Sequence, residues 1–134
     1  RLNQTQYTQP AIYVVNALSW MDWLAEGNAP PDFLAGHSLG EYNALLAAGV
    51  FDFETGLRLV IRRAALMAQA SGGSMAAVIG MSPETIQTIL DSDFQTLLHI
   101  ANDNSPTQTV IAGANEAIIR ARSSFLKAGA KRYM

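Results

Sequence analysis

Ser38 stands between two glycines in the run Gly36-His37-Ser38-Leu39-Gly40-Glu41-Tyr42, a spacing that suits a serine acting as a nucleophile. The short apolar run Phe33-Leu34-Ala35 before it reads as the end of a buried strand, and Glu41 to Ala48 after it reads as a helix. Ser38 then falls on the sharp turn between the two, the layout of a nucleophile elbow. The pattern assigns Gly36 and Gly40 to close backbone approaches, where a side chain on either would clash. The helix start offers unpaired N–H groups and a positive dipole end, which together suit an oxyanion. Leu39, the residue after the serine, would supply one oxyanion donor through its backbone N–H. Taken alone, the five residues of G-x-S-x-G are equally well explained by chance.

A serine hydroxyl attacks a carbonyl only when a base takes its proton, so acyl transfer needs an imidazole or carboxylate within reach. The chain holds two histidines, His37 and His99. His37 is the neighbour of Ser38, and adjacent side chains on an extended turn diverge, so it reads as a packed or hydrogen-bonded structural residue. His99 falls within a predicted strand and reads as an ordinary strand residue.

The elements that must position these groups follow from periodicity. Gln9 to Trp23 carries Ala11, Ile12, Val14, Val15, Ala17, Leu18, Met21 and Trp23 at recurring spacings of three and four, which predicts a largely buried helix with Pro10 in its first turn. The turn-forming stretch Glu26 to Asp32 separates it from Phe33. The order helix, loop, strand, elbow, helix is that of a parallel α/β layer. A further helix is expected from Phe53-Glu54-Thr55 to about Ala70, with Phe53, Leu57, Val60, Ala64 and Met67 as its inward stripe. Arg58 and Arg62 project to the opposite side, whereas Arg63 sits on the flank of the stripe, where it can reach a partly buried cleft.

Beyond Gly73-Ser74 the pattern changes. Met75 to Gly80 is a short apolar strand, Ser82 an N-cap and Pro83 the first residue of a helix. Strands are expected at Leu97 to Ala101 and Gln108 to Ala112. A helix follows from Asn115-Glu116 to Ala128, Gly129 is its stop, and Lys131 to Met134 begins a last strand. Strand, helix, strand, strand, helix, strand is the order of a ferredoxin-like split unit. The expected fold is therefore α/β: a partial parallel-sheet, α/β-hydrolase-like subdomain with a nucleophile elbow over residues 1–73, and a small ferredoxin-like (βαββαβ) subdomain over 74–134. Met67 and Met75 read as core.

Gly-His-Ser-Leu-Gly-Glu-Tyr followed by Ala47-Ala48-Gly49-Val50 resembles the active-site segment of malonyl-CoA:acyl carrier protein transacylases and polyketide synthase acyltransferases. Thr8-Gln9-Pro10-Ala11, Leu59 to Met67, Gly73 to Gly80 and Asn102 to Gly113 match further segments in the family's order. The stretches around Ser38 and Phe51 to Leu57 look closest to stand-alone enzymes that serve polyketide synthases in trans. The resemblance implies ping-pong transfer of malonyl from malonyl-CoA to the phosphopantetheine thiol of an acyl carrier protein through acyl-Ser38, with no metal and no bound cofactor. It implies that Arg63 pairs with the free malonyl carboxylate, and that Gln9 and Asn104 line or brace the site; a helix-end glutamine and a turn amide explain those two positions as well. It further implies a second oxyanion donor from a loop preceding Arg1 and a catalytic histidine following Met134, so the chain is expected to be a piece of a longer enzyme.

Composition narrows the alternatives. With 134 residues, 49% of them hydrophobic, the chain can bury a core. A formal net charge of -2 with 15% charged residues offers no basic patch for nucleic acid. No apolar run reaches bilayer length and Arg1 to Gln6 lacks a signal-peptide plan, so no membrane association is expected. The absence of cysteine excludes disulfides and thiolate chemistry, and a cytoplasmic setting follows by default. Two rival readings stay open: a serine hydrolase of the α/β-hydrolase type, and a non-catalytic docking module with a vestigial serine.

Overall fold

The computed structural model describes residues 2–134, which divide into one compact unit ending at Ala70 and a second running from Ser71 to Met134. Three helices make the first unit: α1 (Thr5–Ala25), α2 (Gly40–Ala47) and α3 (Phe53–Gln69). α3 begins where expected because Asp52, in extended backbone, caps it by accepting from the Thr55 N–H at 2.7 Å. Its inward stripe is realised at Gly56, Val60 and Ala64, which are buried, with Phe53 and Leu57 packed beside them. Met67 departs from the expectation: at 48% exposure it is no core residue.

α1 departs further. It starts at Thr5, a full turn before Gln9, so Pro10 lies inside the helix and not in its first turn. Proline has no N–H, so the ladder loses one bond there, and the flanking turns carry the segment. Nor is α1 largely buried: Gln9, Tyr13 and Ala17 are covered, while Ile12, Val15, Leu18 and Met21 are exposed. Tyr13 is the centre of the small core, together with Val60 and Leu39, and its ring stacks on Phe53. Burial, reinforced by the nearby Asp52 carboxylate, pushes its phenol up from its usual range. Gly56 makes this packing possible, because a Cβ there would overlap the Tyr13 hydroxyl and lie 2.6 Å from Phe51.

The expected strand at Phe33 to Ala35 is not formed, and no strand occurs among the described residues up to Ala70. The parallel sheet predicted for this unit is thus absent from it. The reason is a matter of partners: a strand exists only when neighbouring backbone groups pair with it, and the described neighbours here are helices, whose groups are already paired. Phe33 is 92% exposed as a result.

The second unit is a four-stranded sheet with two helices. β1 (Gly73–Ile79), β2 (Leu98–Ser105), β3 (Gln108–Ala114) and β4 (Arg132–Tyr133) lie in the order β2-β3-β1-β4, and every neighbouring pair is antiparallel. α4 (Pro83–Ile89) is capped by Ser82, continues into a π turn at Leu90–Phe94, and is followed by β2; α5 (Asn115–Lys127) stops at Gly129, whose φ is 103°. The core gathers Val78, Ile86, Leu90, Phe94, Leu98, Ile111 and Phe125. Tyr133 closes it from the β4 edge, donating to the Ile118 carbonyl at 2.6 Å and stacking on Phe125. Met75, expected in this core, is 55% exposed because it alternates to the face opposite Ala76 and Val78. No described helix is long and apolar enough to cross a membrane.

The turn between Ala35 and α2 is the one local structure that decides the site. A Cβ on Gly36 would overlap the Gly40 carbonyl group and the Glu41 nitrogen, so the chain can fold back on itself only with glycine there. Gly40 was expected to be equally constrained, but a Cβ built on it meets nothing within 4 Å. The asymmetry arises because the close approach is between the Gly36 α-carbon and the backbone of Gly40, not between two side-chain directions. Between them Ser38 takes φ 53°, in the left-handed region that few non-glycine residues adopt.

Two outcomes follow for stability. Gly36→Ala should cost the folded state several kcal/mol (~3 or more, the scale of a forced backbone shift), whereas Gly40→Ala should be neutral or mildly stabilising in thermal melts, alanine being the better helix former. Equal destabilisation by both would contradict the asymmetry. The bonds from Thr55, aided by Arg58, hold the Asp52 carboxyl below the usual carboxylate range. Its charge therefore stabilises α3 at pH above the unfolded-state pKa and ceases to do so as pH falls through the folded-state value. The Tm difference between the native chain and Asp52→Asn, which keeps a neutral cap, should be full near neutrality and shrink toward zero in acid; a difference that grows in acid would refute the assignment.

Candidate functional site

Ser38 projects to solvent, whereas Leu39 is 8% exposed and packs into the core with Tyr13 and Val60. Burying Leu39 is what turns the serine outward, because consecutive side chains at this turn point apart. The first turn of α2 is laid down directly after it: Gly40 N–H donates to the His37 carbonyl at 2.9 Å and Glu41 N–H to the Ser38 carbonyl at 3.3 Å. Among the described residues the Leu39 N–H donates to no backbone carbonyl. It stands one residue from the hydroxyl at a helix start, which is where a donor for a developing oxyanion belongs.

Arg63 reaches this turn from α3. Its Nη2 donates to Ser38 Oγ at 2.9 Å, and its Nη1 donates to Gln9 Oε1. The guanidinium carbon lies 5.9 Å from the centre of the Tyr42 ring, within cation–π range. Arg62, one residue earlier, is exposed, as the helical phase requires. Every contact of Arg63 is with a neutral group, and the ion pair formed among the described residues is Arg58–Glu54, on the solvent side of α3. Among the described residues, then, no carboxylate neutralises the cation that stands beside the serine. A guanidinium offers only donors and so cannot take the serine proton, but its remaining N–H groups can grip an anionic oxygen pair.

Gln9 is the best-held polar side chain of this group, at 7% exposure. Its Nε2 donates to Thr5 Oγ1 at 2.7 Å and to Met67 Sδ at 3.3 Å, leaving Oε1 for Arg63. α2 is fixed to α1 by a second polar contact, in which Asn43 Nδ2 donates to the Tyr13 carbonyl at 3.0 Å and Asn43 Oδ1 accepts from Asn16 at 3.3 Å.

Of the residues singled out in the sequence, Ser38, Leu39, Arg63 and Gln9 thus meet within the first unit. Asn104 lies in the second, exposed on β2 at an irregularity in the β2–β3 register between Asp103 and Ser105. His37 is exposed in the turn itself, and His99 is exposed on β2 opposite Ala112. Thr5, Tyr42, Asn43 and the sulfur of Met67 were missed by sequence reading. Thr5 had a usable signal, since it precedes Gln9 by one helical turn; Met67 likewise follows Arg63 by one turn. No cluster of three or more potential metal-ligating side chains occurs among the described residues.

The family described as the acyl transferase domain matches residues 1–133. A polyketide biosynthesis malonyl CoA-acyl carrier protein transacylase of Bacillus velezensis is 52% identical over 124 residues, covering 92% of this chain and 43% of that protein. The crystal structure of a malonyl CoA-acyl carrier protein transacylase from Burkholderia pseudomallei is similar with a TM-score of 0.87 at 56% identity, over 92% of this chain and 42% of that one. A type II PKS acyl carrier protein in complex with its malonyl-transacylase gives a TM-score of 0.91 at 42% identity, over 99% of this chain and 44% of that one. The chain spans less than half the length of these relatives and shares the mixed α/β fold of the two structures over the matched part. The match runs along almost the whole chain, through the turn that carries Ser38 and the helix that carries Arg63, and it settles the family: the chain belongs to the acyl transferase domain family.

Proposed function

We propose that this chain is part of an acyltransferase that carries a malonyl group from malonyl-CoA to the phosphopantetheine thiol of an acyl carrier protein, in polyketide or fatty acid biosynthesis, with Ser38 as the acyl carrier. The observation that supports it most is the Arg63 guanidinium, 2.9 Å from Ser38 Oγ and, among the described residues, without a carboxylate partner. A malonyl thioester brings the missing anion: its free carboxylate would lie against Arg63 while its thioester carbonyl meets Ser38. The relatives named as malonyl-CoA transacylases, and the one solved with its acyl carrier protein, favour the same substrate pair.

In this reading a base removes the Ser38 proton as Oγ attacks the thioester carbonyl, and the tetrahedral oxyanion is held by the Leu39 N–H and a second donor. Collapse expels the coenzyme A thiol, which takes the proton back, and leaves malonyl-Ser38. The carrier's thiol then attacks the ester and restores the serine hydroxyl. Arg63 cannot be the base, and we take it to be a histidine outside this chain, as the family resemblance implies. No metal or bound cofactor enters any step; malonyl-CoA and the carrier's phosphopantetheine are substrates. Gln9 braces Arg63. Residues 1–73 would be part of the large hydrolase-like subdomain, and 74–134, with their strand order and antiparallel pairing, the small ferredoxin-like one. A cytoplasmic setting accords with this chemistry.

Brief exposure of the whole enzyme to malonyl-CoA, followed by intact mass measurement, tests the reading. A malonyl adduct should form and be lost in Ser38→Ala. Arg63→Ala should slow malonylation about 30-fold, the equivalent of ~2 kcal/mol of charge-assisted bonding, while acetylation from acetyl-CoA changes far less. An adduct that survives Ser38→Ala, or an equal loss with both thioesters, would overturn it.

A further inference from the structure

We propose that Thr5 and Met67 set the selectivity for a carboxylated acyl thioester, by fixing the amide of Gln9 and through it the guanidinium of Arg63. The inference rests on the reading of Ser38 as acyl carrier and Arg63 as carboxylate receptor.

A glutamine amide has two ends of opposite character, an oxygen that accepts and a nitrogen that donates twice. Arg63 offers only donors. Gln9 therefore holds it in just one of its two amide orientations, with Oε1 toward the guanidinium; the flipped amide would set N–H groups against N–H groups. Its surroundings choose between them. Thr5 Oγ1 at 2.7 Å and Met67 Sδ at 3.3 Å both lie on Nε2, one acceptor for each of its hydrogens. A threonine hydroxyl can also donate, so alone it would tolerate the flipped amide. A thioether cannot donate, and Met67 removes that freedom. Water is a poor substitute, because Gln9 is 7% exposed.

The spacing makes the arrangement a clamp. Thr5 and Gln9 are one turn apart on α1, Arg63 and Met67 one turn apart on α3, so the amide of Gln9 lies between two side chains of the facing helix. Arg63 is then held at Nη1 while Nη2 stays on the serine side. Each Nη carries two hydrogens, so a carboxylate can be gripped without releasing Gln9. An arginine held this way loses less conformational freedom on binding its anion, a gain that a thioester lacking a carboxylate does not share.

The test uses steady-state kinetics of the whole enzyme with malonyl-CoA and acetyl-CoA. Thr5→Val, close in shape but without an acceptor, should raise the KM for malonyl-CoA about tenfold with kcat within about twofold, and leave kcat/KM for acetyl-CoA nearly unchanged. Thr5→Ser should restore the native KM, and Met67→Leu should act in the same direction as Thr5→Val. Thr8→Val is the control, because the Thr8 hydroxyl donates to the backbone carbonyls of Gln4 and Leu2 and to nothing in the site. An unchanged malonyl-to-acetyl preference in the Thr5→Val, Met67→Leu double variant, alongside a lost preference in Arg63→Ala, overturns the clamp and leaves the functional reading standing. An unchanged preference in Arg63→Ala sinks the reading itself. An equal fall for both thioesters with a lowered Tm in Thr5→Val would mark Thr5 as merely structural and also overturn the proposal.

Discussion

The approach of the Gly36 backbone to that of Gly40 is the constraint on which the site depends. Folding the chain back so tightly leaves the three residues between them few conformations, and Ser38 takes the left-handed one. That strain, of order 1–3 kcal/mol for a non-glycine residue, has to be repaid by the surroundings. Leu39 repays part of it by entering the core, and the first bonds of α2 repay more. The hydroxyl is exposed because its neighbour is buried.

Charge supplies the second layer. The chain has nine basic side chains, and in the first unit the guanidinium that might have found a carboxylate on its own helix did so at Arg58, not at Arg63. Glu54 lies one turn before Arg58 on the wet face of α3, too far round the helix to reach Arg63. Arg63 is surrounded instead by an amide oxygen, a hydroxyl and an aromatic face. These partners orient a cation without cancelling it, so its field remains available to a ligand in a partly shielded setting.

Much of this was legible in the sequence because the signals are local. The start of α3 at Phe53, the phase that separates Arg62 from Arg63, the cap at Ser82 and the stop at Gly129 each depend on a few consecutive residues. The elements of the second unit were readable for the same reason, its hydrophobic alternation and turn residues agreeing with each other. What failed was non-local. Phe33 to Ala35 has the composition of a strand, but strandhood needs a partner that no periodicity can certify. The apolar residues of α1 go around most of its circumference, and only packing decides that Tyr13 and Ala17 are covered while Ile12, Val15 and Leu18 are not. Met67 illustrates a subtler limit: its side chain was counted as hydrophobic volume, whereas its sulfur is used as an acceptor.

Gly56 carries a consequence for how such a site can vary. It lets the ring of Tyr13 press against α3, and this crossing lies seven residues, about 10 Å of helix, from Arg63 and one turn from Gln9. The two helices pivot about a point where there is no side chain, and the clamp rides on the far ends of both levers. A methyl group added at the pivot would touch neither the serine nor the arginine. It would pry the levers apart, and the error would grow with distance until it reached the one place where a few tenths of an ångström decide whether a cation faces its anion. Positions remote from the serine can thus be as intolerant as Ser38 itself, for reasons of mechanical advantage.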